Sequence, residues 1–320
     1  MIILILTGLL SCIRKTRLNK ESQAAGHDTT FGINKFADLS SGEFNGRLSH
    51  TKPNNTGIPV LDASFFRQAV TNKTRHKRRS TRYPDYLDLR TMKVNGDKIV
   101  GRVKNQGECA CCWGFAVTAL IETVNAVATG EFTSLSDQEL CDCGTEGTPG
   151  CKGGNLNLGV RYVRQYGLTT DELYTYDQDR AKVGRRCRVA EYRRVVPRRA
   201  FNFASISARK AEEEIIKVLN EWKVPVAVYF MVGESLRLYK KGMIVKDDCN
   251  PRAKDAAWHA GVIVGYDTIA DENGREYDYW IIKNSWDDDW GESGYFRVIR
   301  GADWCAIEES PVTGRMDSYY

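Results

Sequence analysis

Histidine is scarce in this chain of 320 residues: there are four, and only His259 lies after residue 76. One imidazole is few for a zinc site of mixed ligands, and the clustered Cys109, Cys111 and Cys112 lack a matching Cys-x-x-Cys pair downstream. No metal and no organic cofactor is therefore expected. Long apolar runs are missing too. The stretch Ile2-Ile3-Leu4-Ile5-Leu6 fades by Ser11, well short of the roughly 20 residues a membrane span needs. Charge of one sign is in only mild excess, a net +5, and much of it sits in the run 73–82. No recognition motif accompanies that run, so no nucleic-acid partner is expected. There is no internal repeat and no low-complexity tract.

What is present reads as a soluble globular chain with a substantial core and about two folded units. Of ten cysteines, Cys12 lies in the leader and nine lie between Cys109 and Cys305. An odd number in the body indicates several bridges and one leftover thiol, in an oxidising compartment. Residues 1–12 read as a signal-like leader, which points to a secreted or lysosomal protein. Residues 13–79 are polar and rich in loop formers. They end on the dibasic stretch Arg75-His76-Lys77-Arg78-Arg79, a pattern processing proteases cut. Two glycosylation sequons, at Asn54 and Asn72, precede that stretch.

From Tyr83 the pattern changes. Phe115, Leu120, Val124 and Val127 mark one face of a helix over 113–128, and Gly130 lies just beyond it. Ser136, with Glu139 three residues later, caps a second helix. Ile215, Ile216, Val218 and Leu219 form the buried side of a third, over 211–222. Strand-like runs then dominate at 224–231, 261–265, 278–283 and 295–299. Helices first and strands later predict an α+β protein with two lobes, divided near residue 200.

The chemistry centres on Cys112 and His259. Cys112 opens a helix, where unpaired N–H groups and the helix dipole favour negative charge on sulfur. An adjacent imidazolium would lower the thiol pKa further. A thiol that attacks carbonyl carbon needs a base to ionise it and an acid for the leaving amine, and one imidazole serves both roles. Taken alone, a single cysteine is more often a structural thiol or half of a bridge.

The wider sequence decides between those readings. Gln106-Gly107-x-Cys109-x-x-Cys112-Trp113-x-Phe115-Ala116 resembles the active-site segment of papain-family cysteine proteases, the cathepsin L-like branch in particular. Trp258-His259-Ala260-Gly261-Val262 resembles that family's histidine segment. Lys283-Asn284-Ser285-Trp286 with Trp290-Gly291-Glu292-x-Gly294-Tyr295 resembles its asparagine segment, and Gly32-x-Asn34-x-Phe36-x-Asp38 its propeptide motif. The resemblance implies a papain-like two-lobe fold: a mainly helical left lobe over 80–200, an antiparallel β-barrel right lobe over 201–320, and the active-site groove between them. It implies a cysteine endopeptidase working through a thiolate–imidazolium pair and an acyl-enzyme. Cys112 would be the nucleophile and His259 the base and then the acid. Asn284 would orient the imidazole, Trp286 would shield that bond, and Gln106 would donate to the oxyanion. His259 follows Cys112 by 147 residues, within the range of roughly 130–150 known for such pairs. Asn284 follows by 172, beyond that range, and extra residues in a hairpin around 268–276 account for some of the excess.

The same resemblance implies bridges Cys109–Cys151, Cys143–Cys187 and Cys249–Cys305. Cys111 and Cys141 are left over, and buried free thiols are expected there rather than an added bridge. Gly153 and Gly154 would be the backbone rail for an extended substrate. Asn155, Leu156, Tyr229, Ala260 and Ser310 would line the main specificity pocket, made shallow by Tyr229. The chain also departs from the family pattern. Trp258 stands where a carboxylate or amide often precedes the histidine, Ala110 replaces a glycine, and Asp287-Asp288-Asp289 reads as a solvated acidic loop. The propeptide, 13–79, reads as shortened, its long helix mostly missing. No histidine-bearing insertion follows Gly154, which speaks against a carboxydipeptidase of the cathepsin B type. Implied partners are protein or peptide substrates, the chain's own propeptide and cystatin-like inhibitors, acting on a monomer. The alternative is a catalytically silent homologue that binds or stores.

Overall fold

A computed structural model describes residues 2–50, 52–53, 55–62, 83–144, 150–179, 187–188, 192–250, 256–271 and 273–316. The dibasic stretch at 75–79 and the sequons at Asn54 and Asn72 lie outside the described residues.

The chain opens with a single helix, α1 (Ile2–Ala24), so the boundary drawn at residue 12 falls inside one element. A helix thus precedes the Gly32-x-Asn34 motif, where the sequence leads us to expect it mostly missing. No proline interrupts these 23 residues, and the polar part supplies the docking contacts. Leu18 is buried, Ser11 Oγ donates to the Ala37 carbonyl (2.5 Å), and Asn19 exchanges both hydrogen bonds with the Phe31 backbone. Arg14 pairs with Glu234 (3.1 Å) and Glu21 with Lys246 (2.7 Å), fastening the helix to the body. Strand β1 (Thr30–Phe31) follows. A short helix, α2 (Ser41–Asn45), carries a capping box of Ser40 and Glu43 that satisfies two backbone donors.

The body begins with β2 (Leu87–Asp88) and the small hairpin β3 (Lys93–Val94) and β4 (Asp97–Lys98). Three helices follow: α3 (Cys112–Thr129), α4 (Asp137–Cys143) and α5 (Leu156–Tyr166). Helix α3 ends where expected, on Gly130 in the left-handed conformation (φ 80°), and Ser136 caps α4 through the Glu139 N–H. After β5 (Phe201–Ser205) and α6 (Ala211–Trp222) come β6 (Val226–Met231), α7 (Glu234–Arg237), β7 (Tyr239–Lys241) and β8 (Met243–Ile244). The chain closes with β9 (Trp258–Ala270), β10 (Glu276–Lys283), β11 (Tyr295–Ile299) and β12 (Val312–Met316).

The main sheet runs β5-β12-β6-β9-β10-β11-β8, with β2 added beside β9. It is antiparallel except for β11 with β8. The expected barrel does not close among the described residues. Its edges are β5 and the two-residue β8, and no ladder joins them, which closure would require. Helix α3 is buried along most of its length and packs chiefly on β9, so one apolar core runs through both halves of the body. Long β9 and β10 form a hairpin over Asp271 and Gly274, the segment expected to hold the extra residues.

The three bridges implied by resemblance are present, and a fourth, Cys111–Cys141, corrects the expectation of two free thiols. Its Cα atoms are 5.9 Å apart, within ordinary bridging range, because Cys111 precedes α3 and Cys141 lies on the facing α4. Both are buried, and Cys112 is left as the free thiol of the body. The Cys111–Cys141 peptide should survive non-reducing digestion. Replacing both residues by alanine should lower stability by about 2–4 kcal/mol in chemical denaturation, as expected for a loop of this length.

Candidate active site

Cys112 is the first residue of α3, and its side chain is fully buried. The backbone N–H groups of Ala260, Trp113, Ser49 and Cys112 itself face the sulfur and favour its ionised form. Burial outweighs them and pushes the thiol up to about 12. Ala260 directly follows His259 on β9, so the helix end and the histidine strand meet at the sulfur.

His259 Nε2 lies 2.7 Å from Asn284 Oδ1. That oxygen also accepts the Ser285 N–H (2.8 Å), which fixes the amide with its oxygen toward the ring. Nε2 must then be the protonated nitrogen, since an amide oxygen only accepts. Nδ1 keeps a lone pair and has no hydrogen-bond partner among the described residues. Trp286 stacks on the imidazole at 4.6 Å, and Phe230 meets it edge-on at 5.5 Å. Burial lowers the imidazole to about 4, against the opposing hydrogen bond to Asn284. The expected ion pair is therefore disfavoured in this covered state, which favours neutral thiol beside neutral imidazole.

The cover comes from the N-terminal segment. Ser49 exchanges two backbone hydrogen bonds with Trp258 (2.8 and 2.7 Å), and its hydroxyl lies over Gly153. Two residues earlier, the Arg47 carbonyl accepts from Gln106 Nε2 (2.8 Å), while the Arg47 guanidinium reaches the Gly107 carbonyl (3.1 Å) and Glu108 (3.2 Å). Phe36 and Phe44 pack edge-on against Trp286 at 5.1 and 5.7 Å. Lys35 pairs with Asp289, and Asn105 donates to Asp287, so the acidic loop is not simply solvated as expected.

Gln106 is held on every side. Its Oε1 accepts from Ser285 Oγ (2.6 Å), its Nε2 also donates to the Cys109 carbonyl (2.8 Å), and its own carbonyl accepts from Tyr176 (2.8 Å). Ser285 was quoted in the sequence motif without a role; here it orients both Gln106 and Asn284. Arg47 and Ser49 carried no signal in sequence, because a covering role depends on where the chain folds back.

Of the residues expected to form the rail and pocket, Gly154 and Tyr229 lie close to Cys112 and Trp113. Gly154 touches the Trp113 indole so closely that a Cβ would come within 2.4 Å of it. Tyr229 crosses from β6 to donate its hydroxyl to the Gly154 carbonyl (3.1 Å) and accept the Leu156 N–H (3.0 Å), and it faces Ala260 in register. Asn155 is buried at the entrance to α5. Ser310 is half-buried just ahead of β12, and among the described residues no hydrogen bond ties it to this group.

A model of the papain family cysteine protease domain matches residues 83–315. The chain belongs to the papain family. It is 30% identical over 285 residues to pro-cathepsin H of Mus musculus, covering 88% of this chain and 76% of that one. It is 33% identical over 285 residues to a cathepsin L-like proteinase of Phaedon cochleariae, covering 87% and 76%. The digestive procathepsin L2 structure from the larval midgut of Tenebrio molitor superposes with a TM-score of 0.77 at 27% identity, covering 97% of this chain and 91% of the other. Procathepsin L 3 from the same source gives 0.75 at 26%, covering 98% and 92%. This papain-family protein is thus a cysteine peptidase of cathepsin L-like character, made as a proform.

Because burial holds the thiol well above its ordinary value, little thiolate is present at neutral pH. The intact chain should therefore alkylate slowly with iodoacetamide at neutral pH. Removal of residues 1–79 should raise the rate at Cys112 by orders of magnitude, read by mass spectrometry of the labelled peptide.

Proposed function

We propose that this peptidase cleaves within polypeptides, with Cys112 as nucleophile, and that the propeptide, residues 13–79, acts as its inhibitor until removed. The observation that carries the catalytic assignment is the contact between His259 Nε2 and the fixed Asn284 oxygen, which leaves Nδ1 as the only basic nitrogen, on the strand whose next residue meets the sulfur. In the uncovered groove His259 takes the Cys112 proton, and the thiolate attacks the substrate carbonyl carbon. The resulting oxyanion is received by a Gln106 Nε2 proton and the Cys112 N–H. His259 returns its proton to the leaving amine, then activates water to release the acyl group. Trp286, stacked on the ring, keeps water from the His259–Asn284 bond.

The covering segment supports the inhibitory reading. The Arg47 carbonyl occupies the Gln106 donor that the oxyanion would need, and Ser49 occupies the strand-pairing edge at Trp258. Substrate choice follows from Tyr229. With its hydroxyl bonded to the Gly154 and Leu156 backbone, the pocket bounded by Asn155, Leu156, Ala260 and Ser310 is short, suited to modest aliphatic residues at the second position before the cut. Four bridges fit a secreted or lysosomal setting. Cystatin-like proteins, which block papain-like grooves, are the inhibitors this groove would accept.

An epoxide or vinyl-sulfone thiol reagent should label Cys112 alone in the processed protein; no adduct there would mean a silent homologue. Gln106→Ala should lower kcat by about 10²–10³, the loss found for one oxyanion donor elsewhere. On a panel of dipeptidyl reporters, the native protein should favour Val or Ala over Phe and Arg. Tyr229→Ala should shift preference toward Phe and Leu by tenfold or more in kcat/KM.

A further inference from the structure

Charge in the body of this protein is segregated. Residues 83–320 hold 32 Lys and Arg against 36 Asp and Glu, yet residues 180–199 alone hold nine basic side chains and one acid. Eight of the nine are arginines. A net charge of −4 for the body thus divides into +8 in one short stretch and −12 in the rest. Random scatter does not give such a pattern, and a cluster of like charges costs self-repulsion unless something opposite meets it.

The described part of this stretch is fixed in place. Residues 193–199 run along the C-terminal end of α5: Leu168 N donates to the Val196 carbonyl (3.0 Å), Thr169 Oγ1 to the Arg193 carbonyl (2.8 Å), and Arg199 N to the Arg164 carbonyl (2.9 Å). Val196 is the buried anchor, and Arg199 turns the chain with a left-handed backbone (φ 58°). Some of the arginines have structural partners. Arg194 is drawn inward to Glu139, and Arg188 lies over the Tyr174 and Tyr192 rings. Arg164, Arg193, Arg198 and Arg199 are different: all are exposed, and none has an ion pair among the described residues. Neither 156–170 nor 192–203 contains a carboxylate. Arg180, Lys182, Arg185 and Arg186 lie outside the described residues.

We propose that this arginine surface, at the C-terminal end of α5 and along 193–199, is a docking site for a sulfated polysaccharide. Guanidinium forks match sulfate oxygens in pairs, which an ammonium cannot do, and the stretch uses arginine almost exclusively. Four bridges put the protein in an oxidising compartment, where sulfated polysaccharides rather than nucleic acids are the abundant polyanion. The surface is also separate from the groove. Eight residues of helix divide Leu156 at the pocket from Arg164, about 12 Å along the axis. A polymer bound there tethers the protein and leaves the groove open to peptides. The proposal does not depend on the catalytic assignment, because its readout is binding.

The test measures binding of the full chain to heparin at 0.15 M salt, with elution from a heparin column as a second readout. R164E/R198E/R199E should weaken binding by tenfold or more and reduce the slope of log Kd against log salt by about 2, from lost counterion release. R164Q/R198Q should weaken binding less, in the same direction. Melting temperature and reporter hydrolysis after processing should stay unchanged, showing that the fold is intact. Neutralising the basic run with R75Q/K77Q/R78Q/R79Q should leave most of the affinity. The proposal is overturned if the reversed variant binds heparin like the native chain, or if the loss appears only with the 75–79 variant. It is equally overturned if single-stranded DNA of matched charge binds as tightly as heparin through the same arginines.

Discussion

The end of a buried helix abuts a buried strand in this protein, and the other parts are arranged to hold that contact. Helix α3 delivers Cys112, and β9 delivers His259 with the Ala260 N–H at the sulfur. Neither element could be shifted by a residue without turning its functional side chain away, since helix and strand periodicities both fix which face a residue takes. The supports are correspondingly dense. Cys109–Cys151 and Cys111–Cys141 tie down the chain just before α3, and β9 sits in the middle of the sheet between β6 and β10. Phe230 from β6, with the Asn284 amide and Trp286 from the turn after β10, encloses the imidazole.

Enclosure has an electrostatic consequence. Burial raises the thiol and lowers the imidazole, so the covered pair holds one proton, on sulfur. A thiolate–imidazolium pair in an open groove also holds one proton, on nitrogen. Uncovering then moves a proton within the pair and takes none from solvent, so this pair contributes little to any pH dependence of the uncovering step. The acidic limb of that step falls to the carboxylates that fasten the N-terminal segment. Glu21 is held below the ordinary carboxylate range by its hydrogen bond to Lys246 on the body, whereas Glu43, lowered by Ser40, caps α2 within the segment itself. The Glu21 contribution to docking is present above about pH 4.5 and is lost as pH falls through its lowered value.

The N-terminal segment is an intramolecular ligand built from ordinary parts. Strand β1 extends the body by pairing with β7, α2 lays Phe44 on Trp286, and Ser49 pairs with Trp258 as an added strand residue. Trp258, in sequence only a departure beside the histidine, is the residue that receives the cover. The bond from Gln106 to the Arg47 carbonyl shows the same economy, because it uses a donor the site holds ready for another oxygen.

Much of this was legible in the chain itself. The single downstream imidazole, the helix ending at Gly130, the Ser136 cap and the separated motifs around Cys112, His259 and Asn284 are local patterns, written in residue type and spacing. They determined the family, the α+β class and the identities of the groups that meet. Tertiary structure alone decided the rest, for physical reasons that are not local. Cys111 and Cys141 are paired because α3 and α4 face each other, a proximity no spacing encodes. Residues 2–24 are one helix because their polar half finds Glu234, Lys246 and the Phe31 backbone across the fold. Gln106 holds its amide as it does because the Arg47 and Cys109 carbonyls accept from Nε2 while Ser285, 179 residues away, donates to Oε1, and burial by distant residues set the charge state of the thiol and imidazole.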